Sequence, residues 1–472
     1  MKTTCKIDCG HKIGRIGEGI FGSFVEHFGR CVYTGIYQPE HITADEKNGF
    51  RQDVADAVKR LELSYLRWPG GNFVSSYNWR DGIGPKTDRP VKLNTAWSSV
   101  ETNQFGIDEF MRWCRKVGCQ PMITVNLGTG TPAEAAELVE YCNFGGKSTL
   151  SELRRKNGSP EPYNVRYWCL GNEMDGHWQA GHMDKDAYAQ KALTAARMMK
   201  AVDKNIKLTA CGSSFCEMPT FPVWDETVIS SLYDEIDMIS MHKYFHYTGN
   251  DVDYFSAPSY FERYIKQQIT VCDYVQIKER KSKRIDISID EWNIWYENKS
   301  QDGHWQEAPH ILEDFYTMRD ALVFAGMFQA ILRHADRVKM SCVAQLVNVI
   351  APIMTDDDGR IFRQTTFYPF RALSRFARGG EVVDCDVNSD TATGTYGSYG
   401  LIDVLAVRQN GELGVFVVNY GATEQKGTFG FEGAVPAKLL EHSVMTGALD
   451  DANDFDCPER IVPQSGTGAK IT

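Results

Sequence analysis

The chain has 472 residues, 42% apolar and 12% aromatic, so it is globular and too long for one ordinary core. Its formal net charge of −11 argues against a general nucleic-acid binder, which carries a basic face. The thirteen cysteines follow neither a disulfide framework nor a zinc spacing, MKTTCKIDCG has no signal-peptide core, and no segment has the apolar length of a membrane helix. A cytoplasmic protein with reduced core thiols is expected, with no cofactor, metal, membrane or nucleic-acid partner.

In chain order, GIFGSFVEH (19–27) reads as a first strand. FRQDVADAVKRLE (50–62) then sets Val54, Val58 and Leu61 at helical spacing. LSYLRWPGGN (63–72) is the second strand, FGIDEFMRWCRKVG (105–118) a helix, and QPMITVNLG (120–128) and VRYWCLGNE (165–173) the third and fourth strands. AYAQKALTAARMMKAVDK (187–204) is helical, and IKLTACGSS (206–214), IDMISMHKY (236–244), IDISIDEWN (285–293) and SCVAQLVNV (341–349) bring the strands to eight. Eight such units predict a closed (β/α)8 TIM barrel. An open dinucleotide-binding sheet would need a glycine-rich turn after its first strand, and Gly14-Arg15-Ile16-Gly17 does not supply one.

Near residue 376 helical periodicity stops. LIDVLAVRQNGELGVFVVNYG (401–421) is two alternating strands around Asn410-Gly411, the strongest short hairpin signal. The predicted division is a catalytic barrel over 18–375 and an accessory antiparallel β-sandwich, jelly-roll-like, from 376–472 plus 1–17, with TTCKIDC adding a strand.

The C-terminal ends of barrel strands form the active-site face. Here they carry Glu26 and His27; Arg67 and Asn72; Asn126; Asn172 and Glu173; Ser213 and Ser214; His242 and Tyr244; Asp290, Glu291 and Trp292; Gln345 and Asn348. Strands that merely stop where polarity begins do not account for glutamate after an apolar run three times. A carboxylate near a barrel mouth is costly unless hydrogen-bonded or functional. Glu173 and Glu291 end strands four and seven, on opposite sides of the mouth, and paired carboxylates suit glycoside hydrolysis. Trp68, Trp97, Trp178, Trp292, Trp295 and Trp305 lie near these ends, where indole faces can pack on sugar rings.

Other motifs are weaker. GGKST (145–149) lacks the leading glycine of a phosphate loop, HKYFH (242–246) lies on a strand end without a zinc protease's glutamate, and TDDDG (355–359) lacks the closing glutamate of a calcium loop and reads as a turn.

Five long stretches, GSFVEHFGRCVYTGIYQPEH (22–41), LRWPGGNFVSSYNWRDGIGP (66–85), WCLGNEMDGHWQ (168–179), SIDEWNIWY (288–296) and AQLVNVIAPIMT (344–355), together resemble the α-L-arabinofuranosidases of glycoside hydrolase family 51. The resemblance spans nearly the whole chain. It implies a retaining, exo-acting enzyme that releases terminal α-L-arabinofuranosyl residues from oligosaccharides, with Glu173 as acid/base and Glu291 as nucleophile. By the same resemblance Glu26, Arg67, Asn72, Asn172, Tyr244 and Gln345 hold the sugar ring and the nucleophile, and Trp97 and Trp295 wall the subsites. His242, from the sixth strand end, joins the expected binding set. A homohexamer is implied as well. The rival expectations are a related retaining barrel glycosidase, such as a xylanase or β-glycosidase, and a catalytically silent sugar-binding protein. The chain stops at PQSGTGAKIT, without the apolar strand that closes the family's β domain, so either that strand is absent or the sequence is a fragment.

Overall fold

The computed structural model describes residues 3–296, 305–434 and 436–470, so the extreme ends of the predicted β domain lie outside the described residues. Eight parallel strands close into a barrel: β1 (Gly22–Phe24), β2 (Tyr65–Trp68), β3 (Gln120–Val125), β4 (Tyr167–Leu170), β5 (Lys207–Ala210), β6 (Met238–Phe245), β7 (Asp286–Ile294) and β8 (Val338–Ala344). Each pairs with its neighbours in sequence, and β8 closes on β1. All eight overlap the expected apolar runs, the eighth starting and ending earlier than SCVAQLVNV (341–349).

Helices between the strands turn their apolar faces to the barrel. Gln52–Leu61 buries Val54, Val58 and Leu61 and ends at Glu62, whose amide bonds the Lys59 carbonyl. Pro132–Asn143 starts at Thr131, which accepts the Glu134 amide in a capping box. GGKST is explained in the same way, since Ser148 caps the helix Thr149–Lys156. The TDDDG turn joins the short antiparallel strands Ile353–Thr355 and Ile361–Arg363, with Asp356 accepting the Arg360 amide.

A five-stranded sheet lies beside the barrel, in the order Glu412–Asn419, Ile402–Gln409, Glu381–Asn388, Thr3–Arg15 and Gly427–Glu432. The N-terminal strand thus sits inside the sheet, antiparallel to Glu381–Asn388 and parallel to Gly427–Glu432. The hairpin turns on Asn410-Gly411, both left-handed (φ 51° and 82°), which matches the twist of the flanking strands. Val382, Leu405, Val407 and Val418 join the barrel's core, and Cys5, Ile7, Cys9, Val383, Ile402, Val404 and Ala406 form a second cluster. None of the thirteen cysteines is in a disulfide and ten are buried. Among the described residues no helix is long and apolar enough to cross a membrane.

Candidate active site

The centre of the mouth is an arginine. Arg67, at the end of β2, is fully buried. Its Nη1 donates to Glu291 Oε1 at 2.6 Å and its Nη2 to Asn172 Oδ1 at 2.6 Å. Its Nε lies 3.6 Å from Asp290 Oδ2, and the guanidinium sits 4.5 Å over the Phe24 ring. The planar fork thereby fixes a carboxylate and an amide from two different strands. Loss of Glu291 would remove a charge partner from the buried guanidinium, at a cost of about 3–5 kcal/mol.

A kink in β7 explains how two consecutive acids reach the same arginine. Ser288 pairs with Ser240 and Glu291 with His242, so three steps on β7 oppose two on β6, and the same slip occurs against β8 between Ile289 and Trp292. Such a bulge sends adjacent side chains to one side. Asp290 also accepts from Ser240 Oγ at 2.5 Å. Burial alone would raise the Asp290 carboxyl, but Arg67 and His242 overcome it and hold it at about 2. Trp292 turns away into the helices, donating to Ser341 Oγ at 2.8 Å and packing on Phe324 and Phe328.

The second oxygen of Glu291 accepts from Tyr244 Oη at 2.9 Å. Glu173 faces it: one carboxylate oxygen from each glutamate and a ring nitrogen of His242 lie within 4.8 Å of one another. Retaining glycosidases hold their two carboxyl groups about 5–5.5 Å apart, close enough for one to attack the anomeric carbon while the other protonates the departing oxygen. His242 Nδ1 bonds Glu173 Oε1 at 2.9 Å and lies 3.7 Å from Glu291 Oε2, while Nε2 meets Ser240 Oγ at 3.1 Å. Burial would lower the imidazole pKa, but the Glu291 charge and the contacts to Asp290 and Glu173 raise it to about 10. A protonated ring is a donor at both nitrogens.

The sign of that shift sets a pH dependence. His242 titrates higher folded (about 10) than its ordinary 6.5, so its stabilisation is full below pH 6.5 and is lost as pH rises through 10. Nitrogen-15 NMR of the His242 ring is expected to show imidazolium throughout pH 6–8. A neutral-ring spectrum at pH 7 would refute this electrostatic reading.

The backbone around these groups is built for close approach. Glu173 itself has a left-handed φ of 45°, uncommon for a side-chain-bearing residue and characteristic of functional sites. Gly171, at φ 85°, makes the turn that delivers it. Across the mouth, a Cβ on Gly71 would stand 2.9 Å from Glu291 Oε1 and 3.2 Å from Asn172 Nδ2. Gly71→Ala is therefore expected to lower turnover roughly 100-fold by displacing Glu291, while the circular-dichroism melt stays cooperative. Unchanged turnover would show that the carboxylate has room to move.

Glu26 closes the mouth near β1. Its Oε1 accepts the Phe73 amide at 2.8 Å and Trp97 Nε1 at 2.9 Å, its amide donates to Gln345 Oε1 at 3.0 Å, and Gln345 Nε2 approaches Oε2 at 3.4 Å. Burial pushes its carboxyl up to about 7 against the pull of those donors. Trp97 stacks on Phe28 with centroids 3.5 Å apart, and Trp295 packs edge-on to Tyr244 at 5.4 Å. Asn72 lies at the rim, its Oδ1 held by Gln179 Nε2 at 2.6 Å. Among the described residues Asn172 Nδ2 and Trp295 Nε1 are buried without a partner, two donors left for a ligand.

The structure therefore gathers Glu26, Arg67, Trp97, Asn172, Glu173, His242, Tyr244, Glu291, Trp295 and Gln345 around one mouth. Other strand-end residues serve the scaffold. Asn126 bonds the Tyr77 carbonyl, Ser213 and Ser214 bond Asp225 and Asp175, and Asn348 bonds the Arg30 carbonyl. His27 turns outward to Glu101 at 2.7 Å, and Trp68 stacks on Phe110 in the core. Three contributors fall outside the catalytic and binding set expected from sequence: Asp290, Gln179 and Trp178. Trp178 Nε1 donates to Glu173 Oε2 at 2.7 Å.

Comparison with known proteins places this geometry among relatives. A family model for the α-L-arabinofuranosidase 1 domain matches residues 57–264, and one for the α-L-arabinofuranosidase C-terminal domain matches residues 290–472. The chain is 45% identical to an intracellular exo-α-(1→5)-L-arabinofuranosidase of Streptomyces lividans, over 98% of this chain and 72% of that one. It is 44% identical to a protein of the same description from Acetivibrio thermocellus, over 94% and 90%. The solved structure of a family 51 α-L-arabinofuranosidase from Bifidobacterium longum superimposes with a TM-score of 0.93 at 38% identity, over 98% of this chain and 94% of that one.

Proposed function

The chain belongs to the α-L-arabinofuranosidases of glycoside hydrolase family 51 and is a retaining, exo-acting member, and from that premise we propose how its residues divide the work. Glu291 is the nucleophile. Arg67 and Tyr244 each hold one of its oxygens, which aims it. Glu173 is the acid/base. In the first step a Glu291 oxygen bonds the anomeric carbon while the glycosidic C–O bond breaks, and the Glu173 proton goes to the departing oxygen. In the second, Glu173 takes a proton from water, whose oxygen displaces Glu291, and the α configuration is restored.

The other groups bind the sugar. Asn172 Nδ2 offers a donor beside Glu291, where hydrogen bonds to a 2-hydroxyl strengthen in the transition state. Glu26, Asn72 and Gln345 take further hydroxyls, and Trp97 and Trp295 pack on the ring. His242 orients Glu173. The catalytic unit is residues 18–375, with 376–472 and 1–17 as its accessory β domain. The substrates are short arabinose-containing oligosaccharides, with α-(1→5) links favoured by the names of the two relatives. Those names also support action inside the cell, and the family resemblance supports a homohexamer, which light scattering would reveal as six times the chain mass.

The observation that carries this reading is the pair of glutamates within 4.8 Å, one of them clamped by Arg67. The test is proton NMR of product released from an aryl α-L-arabinofuranoside, beside aryl β-xyloside and β-glucoside controls. α-Arabinofuranose is expected as the first-formed sugar. β-Arabinofuranose first, or faster cleavage of either control, would defeat the reading.

A further inference from the structure

The chain enters the barrel and leaves it at the same place. The Ile16 amide bonds the Gly380 carbonyl at 2.9 Å, just before β1 begins and just after the last barrel helix, Phe367–Ala377, ends. Beside this crossing, on the side where the strands start, is an open cleft of about 530 Å³. Arg15, Arg378 and Arg408 line it, together with Glu381 and the 409–411 turn of the sheet.

The charges in this cleft do not balance locally. Glu381 is committed, accepting Lys12 Nζ at 2.7 Å and Arg408 Nη2 at 3.2 Å. Among the described residues Arg15 has no ion pair or side-chain hydrogen bond, and Arg378 Nε and Nη2 are buried without a partner. The Arg378 guanidinium lies 5.8 Å from the Phe21 ring. Glu18 and Glu62 act on Arg378 through space without forming an ion pair, and burial still pulls its pKa down from the usual arginine value. A guanidinium half withdrawn from water without an ion-pair partner is costly, and such orphaned donors suit an anionic partner.

We propose that this cleft binds a small phosphate monoester, its phosphate taken by Arg15 and Arg378 and its body by the remaining space along the 409–411 turn. Guanidinium forks match phosphate oxygens in shape, and two unpaired cations match a doubly charged group. The volume exceeds what one inorganic ion needs and lies in the range of small-metabolite sites. Its lining comes from both the N-terminal strand and the C-terminal sheet, so a bound ester ties both to the barrel's last helix. The site is separate from the glutamate pair, which stands at the opposite ends of the strands.

The test is thermal unfolding and calorimetric titration of the full chain with inorganic phosphate and glucose 6-phosphate, against glucose and against sodium chloride at matched ionic strength. Saturable stabilisation is expected from the two phosphates, tighter for the ester, and none from glucose or chloride. Arg15→Ala and Arg378→Lys are each expected to raise Kd about tenfold or more, with arabinofuranoside turnover unchanged. Arg15 is exposed, so its variant keeps the test decisive if Arg378→Lys fails to fold. The proposal is overturned if neither phosphate gives a saturable shift, or if the shift survives in Arg15→Ala. It is overturned equally if stabilisation follows protein concentration instead of phosphate, which would make the cleft a contact between copies.

Discussion

Glu291→Gly is expected to lose roughly 10⁴- to 10⁶-fold in kcat, the range seen when a nucleophile that acts as part of a unit is removed. The structure gives the reason for so steep a loss. Arg67 and Tyr244 are both committed to the Glu291 carboxylate, so deleting it leaves a buried guanidinium facing an empty space. The space is also the means of rescue. Azide is an anion small enough to enter it, and it should attack the anomeric carbon directly while Glu173 protonates the leaving group. One displacement inverts configuration, so the expected product is the β-arabinofuranosyl azide. Measurement is by steady-state kinetics and product NMR; activity within tenfold of the parent, or an α-azide from this variant, would show that another group attacks.

The second large effect depends on the leaving group. In Glu173→Gly, hydrolysis of an arabino-oligosaccharide, whose alkoxide needs a proton, is expected to fall roughly 10²- to 10⁴-fold. An aryl arabinofuranoside with an acidic phenol needs little protonation, so its first step should be largely spared. The second step then lacks its base, the glycosyl-enzyme accumulates, and a burst of phenol precedes slow turnover. Azide should speed that step and yield the α-arabinofuranosyl azide, since two displacements restore configuration. The two variants thus give azides of opposite configuration, a contrast that a merely structural role for either glutamate would not produce. Equal losses for good and poor leaving groups would remove Glu173 from the acid/base role.

Much of this site is legible in the amino-acid sequence, for a physical reason. Barrel strands buried on both faces read as continuous apolar runs, so polar residues at their ends stand out. Glu173 directly after YWCLGN and Glu291 within IDISIDEWN are visible in that way. What stays hidden depends on side-chain direction and local backbone. Asp290 looks like the outward neighbour of Glu291 if the strand alternates strictly, and only the bulge in β7 brings both acids to Arg67. Trp68 and Trp292 share a rim with Trp97 and Trp295, yet pack into the core on the other side of the strands. Asn126, Ser213 and Asn348 have the same polarity as Asn172, but their partners are loop and helix-start groups brought near by the fold. Trp178, five positions after Glu173, reaches it across a loop with no periodicity to read.

The most direct test of the account is the identity of the residue that carries the sugar. Glu173→Gly, mixed with an activated aryl α-L-arabinofuranoside and quenched in acid during the burst, should hold its glycosyl-enzyme long enough for peptide mass spectrometry. One arabinosyl unit is expected on the peptide containing Glu291, located to that residue by fragmentation. A sugar carried on Asp290 or Glu26, or a burst with no labelled peptide, would contradict it.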